Sequence, residues 1–422
     1  MSISTQALSN AARGAGILNK SASDDLAIAI ACILLCFFLN PFLALFFLAV
    51  LAVFFRVPTS AFFLSVPVSF ALFFYFREYG VDWSLTSSDD IPNYIGLYQE
   101  NTFVSFWSIF TRFLEVPTSN EPLWHILWWS LLHVFDASEK AFIFLHYLLI
   151  FAAVFFSFFV LSRRYFIALS LVYFFATPLS IDSVTYLWRQ QLAFSLFLTG
   201  IGFYMVQGKR IGKWLIYLSP LMHFSMIFFV AVFGTFELYK KYVGLDTKLK
   251  FILIAILNLS AIKIISPLAI GFLSSLGLKL LDLYLEGSGD DQTSVFLSIS
   301  IYCFFLFLAH LKLKNDDVNS LFIIVLFAAF GMALAFPGAT GIYIRFLIFA
   351  FPLYGLYFFR CYLMNFSTRW LLQILFLTFF SGAIRMSRPA LSDEGVVRFL
   401  AFGHAFDPFM GTLKMLISFW AA

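Results

Sequence analysis

From Leu26 to Phe55 no side chain carries a charge, and Pro41 sits near the middle of the run. One bilayer crossing needs only about 20 apolar residues, so this stretch reads as two spans joined by a tight hairpin. Comparable runs recur as far as Trp420. They are continuous rather than alternating, which favours helices that satisfy their own backbone over the strands of a membrane barrel. Only 12% of the residues are charged and 62% are apolar. A soluble chain would carry about 25% charged residues. The expected fold class is therefore an all-α, polytopic integral membrane protein with roughly 11–14 transmembrane helices plus re-entrant or interfacial segments.

Candidate segments lie at 26–39, 41–55, 61–76, 141–161, 165–181, 190–206, 214–236, 251–276, 293–311, 318–336, 346–359 and 369–384. The polar start and the lack of a small-residue cleavage site imply an uncleaved first span and a cytoplasmic N-terminus. The chain reads as a single transmembrane domain over 1–422. The four cysteines, Cys32, Cys36, Cys303 and Cys361, show neither disulfide nor zinc spacing. Sixty phenylalanines read as lipid-facing and packing surface. No basic patch suits a nucleic acid.

Lysine and arginine orient the spans. Arg163 and Arg164, then Lys209, Arg210 and Lys213, then Lys240, Lys241, Lys248 and Lys250, then Lys312 and Lys314, then Arg360 and Arg369 are placed in the cytoplasm. The acidic loop 77–121 is placed outside, with an amphipathic helix at 102–114 lying in the headgroup layer. Residues 385–422 form an extracytoplasmic or interfacial C-terminal segment. Two constraints follow. Both flanks of 214–236 can be cytoplasmic only if that segment turns back near 219–225, leaving Pro220, His223 and Ser225 outside. Likewise 121–135 cannot be a full crossing and reads as a re-entrant or interfacial helix that starts on the outer side.

Unusual polar residues then gather on the outer side: Asp89, Asp90, Asn93, Tyr94, Glu121, Arg189, His223, Arg345, Arg385, Arg388, Asp393, Glu394, His404 and Asp407. Arg189 and Arg345 open long apolar runs. Each can be an interfacial anchor or a sunken anion site, since guanidinium grips phosphate in bidentate fashion. An acid or histidine nearby would serve as general base. Glu121 has the alternative of facing the free amides of a helix start. His125, His133 and His146 lie on aromatic-rich segments and read as core or interfacial. Lys263 sits mid-run beside Pro267 with no assigned role. No nucleotide-binding or hydrolase motif is present, so an activated substrate would have to supply the energy.

Four stretches in order, DDIPNYIGLYQ (89–99), EPLWHIL (121–127), WRQQLAFSLFLTGIGFY (188–204) and LMHFSMIFF (221–229), resemble the EpsG-like and Wzy-type bacterial polysaccharide polymerases. GIYIRFLIFAFPLY (341–354) is similar to a later arginine-bearing span of that family. Here the arginine motif carries two glutamines, Gln190 and Gln191, the serine of the histidine motif is followed by Met226, and DPF (407–409) matches the family ending only loosely.

The resemblance implies a membrane glycosyltransferase of the lipid-phosphate-sugar type in the bacterial inner membrane, with a periplasmic active site. The donor would be a glycan on undecaprenyl diphosphate, and the acceptor a sugar hydroxyl of a lipid-linked repeat unit. Arg189 and Arg345, with Gln190, Tyr94 and Arg385, would bind substrate. Asp89, Asp90, His223 or Glu121 would supply the base. The metal-free reading ranks ahead of a metal between Asp89 and Asp90, and no cofactor is expected. Membrane lipids and a chain-length-regulating membrane protein are the implied partners. The alternatives are an O-antigen ligase and a lipid-linked oligosaccharide flippase.

Overall fold

The computed structural model describes residues 22–39, 41–75, 121–135, 138–176, 187–242, 292–313, 316–335, 340–366 and 370–387, with a few isolated positions between them. All described regular structure is helical. The helices are α1 (Ala22–Phe38), α2 (Pro41–Phe54), α3 (Thr59–Tyr75), α4 (Pro122–His133), α5 (Glu139–Leu161), α6 (Phe166–Ala176) and α7 (Trp188–Ile201). A π-helical turn, Gly202–Val206, extends α7. Then follow α8 (Ile211–Met222), α9 (Met226–Tyr242), α10 (Gln292–Lys312), α11 (Asp317–Ala335), α12 (Thr340–Asn365) and α13 (Leu371–Ser387). The expected segment 251–276, apart from Ser260 and Ile264, the amphipathic helix 102–114 and Lys263 lie outside the described residues.

Pro41 starts α2, where a missing amide costs nothing, and so makes the expected hairpin with α1. The run 214–236 is broken where the backbone becomes extended at His223, so α8 ends and α9 turns back. The expected reversal near 219–225 is thus observed.

Ion pairs give the helix directions. Lys213 near the start of α8 binds Glu237 near the end of α9 at 3.0 Å. Lys240 of α9 pairs with Asp317 at the start of α11. Arg360 near the end of α12 binds Asp316 at 2.6 Å. Gln207, just past α7, donates to the Val160 carbonyl at the end of α5. Phe63 near the start of α3 packs on Phe159 and Phe166. The ends of α5, α7, α9 and α12 and the starts of α3, α6, α8 and α11 therefore share one end of the bundle. Arg163, Arg164, Lys209, Arg210, Lys240, Lys241 and Arg360 all fall there, so we name it the basic end. The starts of α7, α9 and α12 lie at the opposite end, and these three helices run parallel.

Helix α7 is the hub, packed on α5 and α8. Its crossing with α8 depends on two glycines. A Cβ on Gly200 would come within 2.6 Å of the Ile216 side chain and 2.7 Å of the Gly212 carbonyl, and one on Gly212 would strike the Gly200 carbonyl and Tyr204. Small residues let the two backbones approach closely. Helix α4 runs antiparallel to α5: Trp124 packs on His146 and Trp128 on Phe142. Its indoles pack into α5, so its first turn lies about two turns inside the start of α5, about 10 Å at 1.5 Å per residue.

Two helical segments, Glu139–Leu161 and Leu347–Asn365, are long and apolar enough to cross a membrane. The outward faces of other helices are also apolar: Leu26, Ile30, Ile33 and Leu34 on α1, Ile211, Trp214, Tyr217, Leu218 and Leu221 on α8, Ile301, Phe304 and Phe305 on α10, and Phe376, Leu377 and Phe380 on α13 are exposed.

Candidate functional site

Glu121 immediately precedes α4, and Pro122 fills the first helical position. Its carboxylate makes no capping bond to that helix. One oxygen, Oε2, instead accepts from Arg189 Nη1 at 2.6 Å. The other, Oε1, is bonded to His223 Nδ1. Arg189 stands in the first turn of α7 and His223 in the break between α8 and α9. Three expected site residues, 68 and 102 positions apart, thus meet around one carboxylate. The helix-start alternative for Glu121 is replaced by this cluster.

Burial alone would raise the Glu121 pKa. The His223 bond, the His223 charge and the Arg189 charge outweigh it and hold the carboxyl at about 2. Glu121 and His223 are buried, while 26% of the Arg189 side chain is exposed. With Nδ1–H directed at Glu121, the lone pair lies on Nε2 whenever the imidazole is neutral. That pairing of carboxylate, oriented imidazole and guanidinium can accept a proton next to an anion.

An aromatic wall fixes the depth of the cluster. Trp188, next to Arg189, stacks on His146 at 5.0 Å and 16°. His146 donates from Nδ1 to the Phe142 carbonyl at 2.8 Å and accepts at Nε2 from Trp128 at 3.1 Å. Both its nitrogens are committed, so His146 is a core histidine, one of the two readings open to it. His133 is exposed at the end of α4, and His125 is half-buried.

The two glutamines separate. Gln191 accepts from the Tyr173 hydroxyl at 2.9 Å and donates to Ser195 at 3.3 Å, tying α7 to α6. Gln190 is 3% exposed, and its Oε1 is buried without a hydrogen-bond partner. Tyr173 has no distinguishing signal in the sequence, being one tyrosine in an apolar run.

Arg345 falls in the second turn of α12 and Arg385 near the end of α13, and the side chains of both are outside the described residues. The α12 direction puts Arg345 at the same end of the bundle as Arg189. Asp89, Asp90, Asn93, Tyr94, Arg388, Asp393, Glu394, His404 and Asp407 lie outside the described residues. Among the described residues, no group of three or more His, Cys, Asp and Glu side chains could hold a metal ion. Compared with known proteins, the chain matches no family model, no curated protein and no solved structure.

Proposed function

We propose that this chain is a polytopic membrane glycosyltransferase, a polysaccharide polymerase acting on lipid-diphosphate-linked glycans at the outer face of the bacterial inner membrane. The observation that carries the reading is the Glu121–Arg189–His223 cluster at the end of the bundle opposite the basic loops. Exposed apolar faces on α1, α8, α10 and α13 support membrane embedding, since a water-facing helix would be polar there. Basic residues gathered at one end support a cytoplasmic assignment for that end. A buried charge cluster in such a setting is a functional site by default.

In this reading the acceptor sugar hydroxyl attacks the anomeric carbon of the donor. Its proton passes to His223 Nε2 as the new C–O bond forms. The bond to the diphosphate breaks, and its electron pair leaves with the diphosphate oxygen. Glu121 remains ionised and holds the imidazole through Nδ1; it is a positioning residue. Arg189, which binds Glu121 through Nη1, stabilises the departing anion with its guanidinium charge. Taking the proton on a neutral His223 adds one positive charge to the cluster. Positive charge therefore appears at the site as the leaving group becomes anionic.

The test is complementation of a deletion strain. Arg189→Ala should insert normally yet abolish long glycan chains, leaving single repeat units on the lipid A core. Full-length ladders from that variant would end the diphosphate role. A ligase would instead leave unattached polymer in the deletion strain, and a flippase would leave the repeat unit facing the cytoplasm.

A further inference from the structure

Parallel α7, α9 and α12 meet on three buried rings. Phe194 stacks on Phe349 at 4.6 Å and 27°, and Phe229 contacts Phe194 at 6.2 Å and Phe349 at 6.0 Å. Four residues before each ring, one helical turn toward the Glu121 cluster, stand Gln190, Ser225 and Arg345. The first two are adjacent in sequence, or nearly so, to Arg189 and His223. Each has a buried polar atom without a hydrogen-bond partner, Gln190 Oε1 and Ser225 Oγ. Gln190 is 97% buried by its 3% exposure. Buried polar atoms are almost always paired, and each orphan calls for an explanation, a bound partner among them.

The geometry points to a sugar subsite above this aromatic floor, in which Gln190 Oε1 and Ser225 Oγ bond hydroxyls of the glycan whose diphosphate Arg189 holds. An amide carbonyl accepts, and a serine hydroxyl accepts or donates, as carbohydrate recognition requires. Neither carries charge, so neither competes with Arg189 for the anion. Arg345 stands at the same level on α12. This inference rests on the proposed function and adds to it the residues that read sugar rather than phosphate.

The experiment uses the purified full-length protein in detergent and two probes. One is the lipid-diphosphate-linked repeat unit extracted from cells lacking this chain, and the other is farnesyl diphosphate, which has no sugar. Affinity is read from the shift of the unfolding midpoint with probe concentration. Wild type should bind the repeat unit more tightly than farnesyl diphosphate. Gln190→Met and Ser225→Ala should each weaken the repeat unit about tenfold, the loss expected of one hydrogen bond, and leave farnesyl diphosphate within about twofold. Arg189→Ala should weaken both probes. If both variants bind the repeat unit as wild type does while Arg189→Ala loses both probes, the subsite is wrong and the proposed function stands. If wild type binds neither probe, both fall. Should Gln190→Met not fold, Ser225→Ala, the smaller excision, decides alone.

Discussion

Replacing Glu121 by Gln removes one charge from a cluster that buries it almost completely, its side chain being 6% exposed. A carboxyl held at about 2 instead of 4.5 corresponds to about 3 kcal/mol of native-state stabilisation at neutral pH. The figure agrees with the about 3–5 kcal/mol typical of breaking a buried ion pair by removing one partner. Because the folded pKa is depressed, the stabilisation is complete above the unfolded value of 4.5. It is lost as pH falls toward 2. Thermal unfolding of purified wild type and Glu121→Gln should therefore differ by about 3 kcal/mol at pH 7. The gap should narrow steadily below about pH 4.5, since acid protonates Glu121 in the wild type and the variant has nothing there to protonate. An unchanged midpoint at pH 7, or a gap as large at pH 3 as at pH 7, would refute the charge-cluster account. Activity should fall with stability restored by lower temperature, because His223 would lose the partner that sets its tautomer.

Three further outcomes are expected. In a background with the native cysteines replaced by serine, Phe224→Cys, at an exposed position beside His223, should react with an impermeant thiol reagent on intact cells; Lys209→Cys should react only after lysis, and the reverse pattern would invert the bundle. His223→Gln should lower the turnover rate by about 10²-fold or more while preserving repeat-unit binding, as loss of a general base does; unimpaired turnover would return the base to the acidic loop. Gly212→Leu should separate α7 from α8 and abolish polymerisation from the basic end, about 20 Å along α7 from Arg189; an active variant would show that the close crossing does not set the Arg189–His223 spacing.

Much of the helical framework was legible because continuous apolar runs suit helices, which satisfy their own backbone polar groups. The break at His223 was legible too, from a different kind of signal. Basic residues on both flanks of 214–236 could share one side only if the chain turned back, and Pro220 and Ser225 stood where a turn was needed. The direction of α4 was not legible. Its sequence shows an apolar helix beginning at Pro122, but only the fit of Trp124 and Trp128 against His146 and Phe142 makes that helix run antiparallel to α5. Gly200 and Gly212 carried no distinguishing mark among 22 glycines. Their role exists only where two backbones cross.

The polar residues divide in the same way. Composition and charge pattern alone determined that Arg189, Glu121 and His223 were anomalous in so apolar a chain and belonged to the same end of it. They could not determine which would pair, since side chains 68 and 102 residues apart have no local relation. Nor could they tell Gln190 from Gln191, neighbours of identical chemistry. Successive helical residues point about 100° apart, so one amide met Tyr173 and Ser195 and the other met neither. Local chemistry decided what each residue could offer. Packing decided what each one met, because pairing a buried charge depends on which helices lie beside it.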